Sequence, residues 1–412
     1  MLSALSLPSI VIMPRGLTAM DYSVPPPAFR PPAHVTGPSG QRADNIPPGH
    51  VMLSATTIVA GSQPRRAWSR RESTDDILTS VGTNSERATQ RFDRITDQLT
   101  QVNDRLHEFL VCGGPFDAVY RHILAAPGKR VRAGLALSCA QLLPSAAAVP
   151  LRDAVDMACV WEMFHESSLV HDDICDGSLL RRDAPSVPAE FGIRTAARAG
   201  FHLAGIALQV LAQVVADNPA VFATLGAAAG VTYLDRLSDL SFGQLVETLP
   251  PTVEDSALRR HYELVAGAKT GTLFRLACSY GGTAGAIDPE RLRALMRYAD
   301  QLAFAFQVMD DVRDVEGDPA LGKDACGDLD RRVPTWPVIE WLGLRHAALE
   351  MWLSTETSSA DLQAELVSSG ATELACAVAA QAAETACRAI EVFPPSPARE
   401  HLRELSTRVV SR

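Results

Sequence analysis

The chain has 412 residues, 47% hydrophobic and 21% charged, enough to bury a large core as one or two domains. A formal net charge of -10 at pH 7 argues against a nucleic-acid-binding surface, which needs a basic face. The eight cysteines are scattered singly with no C-x-x-C pair, which argues against a zinc or disulfide framework and suits reduced thiols in the cytoplasm.

Residues 1–82 read as a Pro-, Ser- and Arg-rich extension. Stretches such as "YSVPPPAFRPPAHVTGPSG" and "NIPPGH" carry too much Pro and Gly to hold regular structure. The same composition resembles an organelle transit peptide, the alternative to a cytoplasmic location. No stretch reaches about 18 uninterrupted apolar residues, so no membrane span is expected. Residues 83–412 form a single all-α domain in this reading. Phe92, Ile95, Leu99, Val102, Leu106 and Leu110 recur at helical spacing. Apolar helical segments follow at 131–143, 152–171, 196–213, 228–247, 257–281 and 288–316, with shorter ones to the C-terminus. Alternating strand patterns are hard to find, and long helices with short connections make a helical bundle.

Two of these helices carry the same acidic spacing. "HDDICDGSLLRRD" holds Asp172, Asp173 and Asp176, and "FQVMDDVRDVEGD" holds Asp310, Asp311 and Asp314. Positions i and i+4 share a helix face, so Asp172 with Asp176 and Asp310 with Asp314 form two pairs. One copy alone is a solvated helix end. Two copies embedded in apolar helices suggest facing rims for hard cations, magnesium above all, which commonly bridge carboxylates to substrate phosphates. Lysine use points to the phosphate. Of 38 basic residues only Lys129, Lys269 and Lys323 are lysines, each beside Gly, Thr or Asp. Arginines cluster with them at Arg130, Arg132, Arg181 and Arg182, as an anion site requires.

Taken in order, "GKRVR", "HESSLVHDDICDGSLLRRDAPSV", "FGQ", "KTGTLF", "FQVMDDVRD", "GDPALGKDACGDL" and "SPAREHLRELSTRVV" resemble the trans-type isoprenyl diphosphate synthases, the polyprenyl synthetase family. The resemblance spans roughly residues 85–412. It implies an isoprenoid synthase-type helical bundle around a central apolar cavity, usually a homodimer. It also implies magnesium-dependent prenyl transfer, in which an allylic diphosphate condenses with isopentenyl diphosphate. By that resemblance Asp172, Asp173, Asp176, Asp310 and Asp311 hold metals. Arg181, Lys269, Gln307 and Lys323 would grip the allylic diphosphate, with Thr270 nearby. Lys129, Arg132, His165 and Arg182, beside Arg130, match the isopentenyl diphosphate site.

The same resemblance places the chain-length floor upstream of the first aspartates. Ser167 and Ser168 leave room near the mouth, while Phe164 and Trp161 lie one and two turns below. A turn is about 5.4 Å, close to one isoprene unit, which points to geranylgeranyl diphosphate. The sequence departs from the family pattern in three places. Arg332, Val333 and Pro334 precede Thr335 where a lysine is usual. Phe201 follows Ala199-Gly200, and Glu166 stands where Thr or Asn is common. These leave two other readings: a terpene synthase on the same fold, or a non-catalytic subunit of a heteromeric synthase.

Overall fold

The computed structural model describes residues 95–411, apart from 126–127, 146, 224–232, 248, 250–254, 318–326 and 345–347. The expected extension 1–82, Phe92, Lys323 and the start of the 228–247 segment therefore lie outside the described residues.

The first half opens with α1 (Ile95–Leu110), α2 (Asp117–Ala125) and α3 (Val131–Ala140). α1 is amphipathic and buries Ile95, Val102, Leu106 and Leu110, four of the six apolar positions read from the sequence. It packs on α4 (Leu151–Asp176), a central helix buried nearly all round, with Met157, Trp161 and Met163 fully enclosed. α4 continues through the first aspartate cluster. It stops at Gly177, whose left-handed φ of 65° ends a helix at no steric cost.

A two-residue hairpin follows, the one strand pair among the described residues. Leu180 pairs with Pro185 and Arg181 with Ala184. Its turn residues Arg182 and Asp183 have φ of 53° and 61°, the primed turn geometry that Asn-Gly usually supplies. Holding a non-glycine there costs on the order of 1–2 kcal/mol. α5 (Val187–Phe191) leads into α6 (Ile193–Asp217), which packs along α4, and then α7 (Pro219–Phe222). Among the described residues α6 alone is long and apolar enough to cross a membrane by length and composition. One face of it is buried within the bundle: Ala196, Ala199, Leu203 and Ala207.

The second half continues the bundle. α8 (Tyr233–Glu247) and α9 (Asp255–Ala266) precede a π-helical turn, Gly267–Gly271, which runs directly into α10 (Thr272–Ala284). α10 packs on α3 and on α11 (Pro289–Glu316). Asp288 caps α11 by accepting the Glu290 and Arg291 amides at 3.1 and 3.0 Å. α11 carries the second aspartate cluster to its end at Gly317, another left-handed cap at φ 72°. The remaining helices are α12 (Gly327–Asp330), α13 (Trp336–Leu344), α14 (Ala348–Leu353), α15 (Ser359–Ser368), α16 (Ala371–Ala389) and α17 (Pro397–Val409). α16 packs along α11, and α17 on α3. One large core joins these helices, and a smaller one around Val315, Trp341 and Leu362 steadies the C-terminal end of α11. The fold is an all-α bundle, as the sequence implies.

Candidate active site

The C-terminal ends of α4 and α11 open on one cavity of about 650 Å³. Asp172 and Asp176 line it from α4, and Asp310 lines it from α11. Both helices are long, apolar and stopped by glycine caps, which is why the carboxylates stand at a rim and not in the core. Burial raises the Asp172 carboxyl above its ordinary value, with Lys269 opposing that shift.

The alternate members of each cluster are engaged elsewhere. Asp173 is 1% exposed and accepts from Arg181, including Nε at 3.0 Å. Asp311 accepts from Tyr262 Oη at 2.6 Å, Gln307 Nε2 at 2.9 Å and the Trp336 amide at 3.3 Å. Burial pushes Asp311 up to about 8, since these neutral donors do not replace lost solvation. Asp314 is buried and accepts weakly from the Asp328 amide, 3.5 Å away, so Asp310 and Asp314 do not face the cavity as a pair. Asp173 and Asp311, which the resemblance assigns to metals, thus have protein partners and lie outside the lining of the main cavity.

Lys269 and Thr270 reach the cavity from the π-helical turn, a widened turn often found at functional sites. Lys269 Nζ pairs with Glu247 Oε2 at 2.6 Å. Burial pulls the Lys269 ammonium down, but Asp172 and Glu247 outweigh it and hold the group above its ordinary value. Thr270 Oγ1 donates to Gln307 Oε1 at 2.7 Å, fixing the amide that in turn donates to Asp311. The "FGQ" motif explains how α8 meets this turn. A Cβ at Gly243 would lie 2.7 Å from Ala268 Cβ and 2.9 Å from the Lys269 amide, so only glycine permits the approach. Gln244 then lines the cavity.

A second cationic group lies alongside α4. Arg132 and His165 line the main cavity, while Arg182 and Glu166 line a recess beside it; Arg181 borders both. Arg132 is 7% exposed, its Nε has no hydrogen-bond partner, and its guanidinium lies 5.3 Å from the Phe274 ring centroid. Burial, reinforced by Arg132 and Arg182, holds His165 well below the ordinary imidazole range, so the ring is neutral at pH 7. Arg130 starts α3 from a left-handed backbone with φ 49°. Lys129 is exposed on the loop before it.

Below the rim the walls are apolar: Phe164, Ala204, Leu237, Leu240 and Phe306. Ser168 and Ser167 line the cavity above Phe164. Phe164 stacks on Trp161 at 6.2 Å between centroids, and Trp161 lies 4.9 Å from Tyr280. Trp161 is fully buried behind Phe164, so the wall here is Phe164 backed by an aromatic cluster.

A model of the family described as "Polyprenyl synthetase" matches residues 115–369, more than half of the chain. The chain belongs to the polyprenyl synthetase family. A geranylgeranyl pyrophosphate synthase of Geoglobus acetivorans is 29% identical, over 77% of this chain and 98% of its own. An all-trans-nonaprenyl-diphosphate synthase (geranyl-diphosphate specific) of Rhodobacter capsulatus is 28% identical, over 72% and 88%. The crystal structure of a polyprenyl synthase from Caulobacter crescentus CB15, complexed with calcium and isoprenyl diphosphate, aligns with a TM-score of 0.67 and 25% identity, over 79% of this chain and 97% of that one. This polyprenyl synthetase is therefore a trans-prenyltransferase.

The synthetase also contains site residues that the motifs do not announce. Glu247 lines the cavity one turn after Gln244, and that i, i+3 spacing was the available signal. Asp328 and Arg331 form a second i, i+3 pair at 2.7 Å, and Arg331 also reaches Asp176 at 3.1 Å. A cation thus stands near the place where a lysine is missing before Thr335. Arg332 does not supply it, because its guanidinium donates to the Ser354 and Thr357 carbonyls.

Proposed function

We propose that this polyprenyl synthetase condenses isopentenyl diphosphate with an allylic diphosphate, with magnesium, to make geranylgeranyl diphosphate. The observation that carries the reading is the placement of acidic and cationic groups around one mouth over an apolar shaft. Asp172, Asp176 and Asp310 would hold the ions. Among the described residues no three acidic, histidine or cysteine side chains enclose an ion by themselves. Ions at this rim would complete their shell with water and diphosphate oxygens, which suits magnesium. The related Caulobacter protein was crystallised with calcium and isoprenyl diphosphate. When bound, such ions neutralise charge developing on the departing diphosphate.

The protein's own groups do the rest. Lys269 and Arg181 would bind the allylic diphosphate as fixed cations, and Gln307, locked by Thr270 and Asp311, would orient it. Lys323 joins this set by resemblance. The allylic carbocation would form beside Phe164 and Phe306, where apolar walls keep water away. Lys129, Arg130, Arg132, Arg182 and neutral His165 would hold isopentenyl diphosphate, and the released diphosphate can accept the proton.

Product length rests on Phe164, the wall one turn below Ser168. Relatives make both shorter and longer chains, among them farnesyl, geranylgeranyl and nonaprenyl diphosphates. We also propose pairing of two copies through α6, whose outward face presents Ile193, Phe201 and Leu208 to solvent; Phe201 is 80% exposed.

The decisive experiment supplies purified protein with isopentenyl diphosphate, each allylic diphosphate and magnesium, and identifies the products. Geranylgeranyl diphosphate is expected, with longer chains from Phe164→Ala. Lys129→Ala and Arg132→Ala should raise the KM for isopentenyl diphosphate far more than that for the allylic substrate. Cyclic hydrocarbons from one prenyl diphosphate alone, insensitive to Lys129→Ala, would instead identify a cyclase.

A further inference from the structure

The cationic recess beside α4 contains a carboxylate that opposes an anion. Glu166 is 7% exposed, and its Oε1 lies 3.0 Å from Arg182 Nη1 and 3.4 Å from Arg130 Nη1. Glu162, one turn earlier, is otherwise committed. It accepts the Ala133 amide at 2.9 Å, capping α3 from a neighbouring helix, and Arg130 Nη1 at 3.3 Å. Three buried or half-buried guanidiniums, Arg130, Arg132 and Arg182, therefore face two buried carboxylates, leaving one net positive charge.

The arginines have anchors besides Glu166. Arg130 and Arg182 each leave a left-handed backbone, with φ of 49° and 53°, and Arg130 Nε donates to Asn103 Oδ1 at 2.9 Å. Arg182 also lies flat on the chain at Gly128, where a Cβ would come within 2.8 Å of Nη2. Glu162 still holds Arg130 if Glu166 loses its charge. Burial raises the Glu166 carboxyl above its ordinary value, with Arg182 and Arg130 opposing the shift, so its ionised form is held only by the guanidiniums an anion would use.

We propose that Glu166 is a built-in counter-ion of this second anion site, occupying Arg182 and Arg130 in the empty enzyme and setting by competition how tightly the non-allylic diphosphate binds. The inference rests on the reading of this cluster as a diphosphate site. An incoming diphosphate must share or break both pairs and come close to a buried like charge, which weakens binding. A Glu166→Gln side chain keeps the shape and an acceptor oxygen but removes the charge.

The test is calorimetric titration of the full chain with inorganic diphosphate in chelator, so that the aspartate rim cannot hold it through metal. Glu166→Gln should bind roughly tenfold tighter than wild type, the scale of one removed charge at this separation. Arg132→Ala should bind more weakly. In steady-state assays the KM for isopentenyl diphosphate should fall in Glu166→Gln while that for the allylic substrate stays within twofold. Equal or weaker diphosphate binding in a cooperatively melting Glu166→Gln overturns the proposal, as does no binding in either protein. Should Glu166→Gln not fold, Glu166→Thr carries the same readout. Tighter diphosphate binding in a protein that consumes no isopentenyl diphosphate would leave the counter-ion standing and overturn prenyl transfer. Turnover with unchanged binding and KM would overturn the counter-ion alone.

Discussion

Asp172 and Asp173 adjoin in sequence, yet a helix turns about 100° between them. That rotation sends Asp172 to the cavity and Asp173 to Arg181 behind it. Asp310 and Asp311 divide in the same way, the first on the rim and the second held by Tyr262, Gln307 and Trp336. Asp172→Ala and Asp310→Ala should each lower kcat by a hundredfold or more, about 3 kcal/mol, if, as proposed, each removes a holder of the ions that neutralise leaving-group charge. Circular dichroism should stay unchanged, since both side chains lie at the cavity rim and neither is fully buried. Near-normal turnover in either variant would remove that carboxylate from the site. The aspartates and Lys269 were legible because their spacing is short-range and repeats. Glu247 had a local signal in its spacing after Gln244 that was left unread, while Asp328 and Arg331 had none, because they join the site only through the folding of their segment against α4. The partners of Glu166 were hidden for the same reason: Arg130 and Arg182 lie 36 and 16 residues away.

At the scale of the element, α17 shows how far from the mouth the bundle is fastened. It docks on α3, the helix that carries Arg132, through His401. Its Nδ1 lies 2.8 Å from Ser138 Oγ. Burial, helped by Arg408, holds His401 at about 4. An unfolded imidazole titrates near 6.5, so between these values the unfolded chain binds a proton that the folded one refuses. The stabilisation is complete above about 6.5 and is lost as pH falls toward 4. Denaturant midpoints measured across that window should decline, and decline less in His401→Gln; identical slopes would show that His401 takes no part. Most helices were legible from apolar periodicity, and the 288–316 segment matches α11 within a residue. The 257–281 segment was read as one helix because the π-helical turn is short, lies between apolar helical runs and carries no Pro to mark it. The hairpin at Arg182–Asp183 was missed because its turn lacks the usual Asn or Gly.

For the whole molecule, the outward face of α6 sets an expectation about assembly. Ile193, Phe201 and Leu208 recur every seven or eight residues, so they line one stripe while the opposite face is buried in the bundle. A stripe of this kind on a helix already anchored along its length calls for a second apolar surface. If two copies pair as proposed, sedimentation velocity should report a dimer for the unaltered chain and a monomer for Phe201→Glu, with secondary structure retained. A monomeric unaltered chain, or a sedimentation coefficient unchanged by the substitution, would overturn pairing through α6. Fold class was legible at this scale, since it needs only helix lengths and connections. Which face of α6 stays outside was not, because its apolar residues surround the helix.

Asp255–Ala284 is a single rod whose angular phase is reset in the middle. In α9 the buried positions Leu258, Tyr262 and Ala266 advance in steps of four. The wide turn then absorbs an added residue, so Lys269 and Thr270 can both meet the cavity while Phe274 still packs 5.6 Å from Phe306. Deleting Gly267 would relax the turn into ordinary helix with α9 and α10 still in phase, so that Lys269 and Thr270 could no longer both face the cavity. The Lys269–Glu247 pair would then be given up while the Phe274 contact stays. Such a protein should keep its helical content and lose turnover, whereas full activity would show that the offset is incidental. A one-residue insertion thus acts here as a gear tooth, meshing a charged face with an apolar one along the same axis.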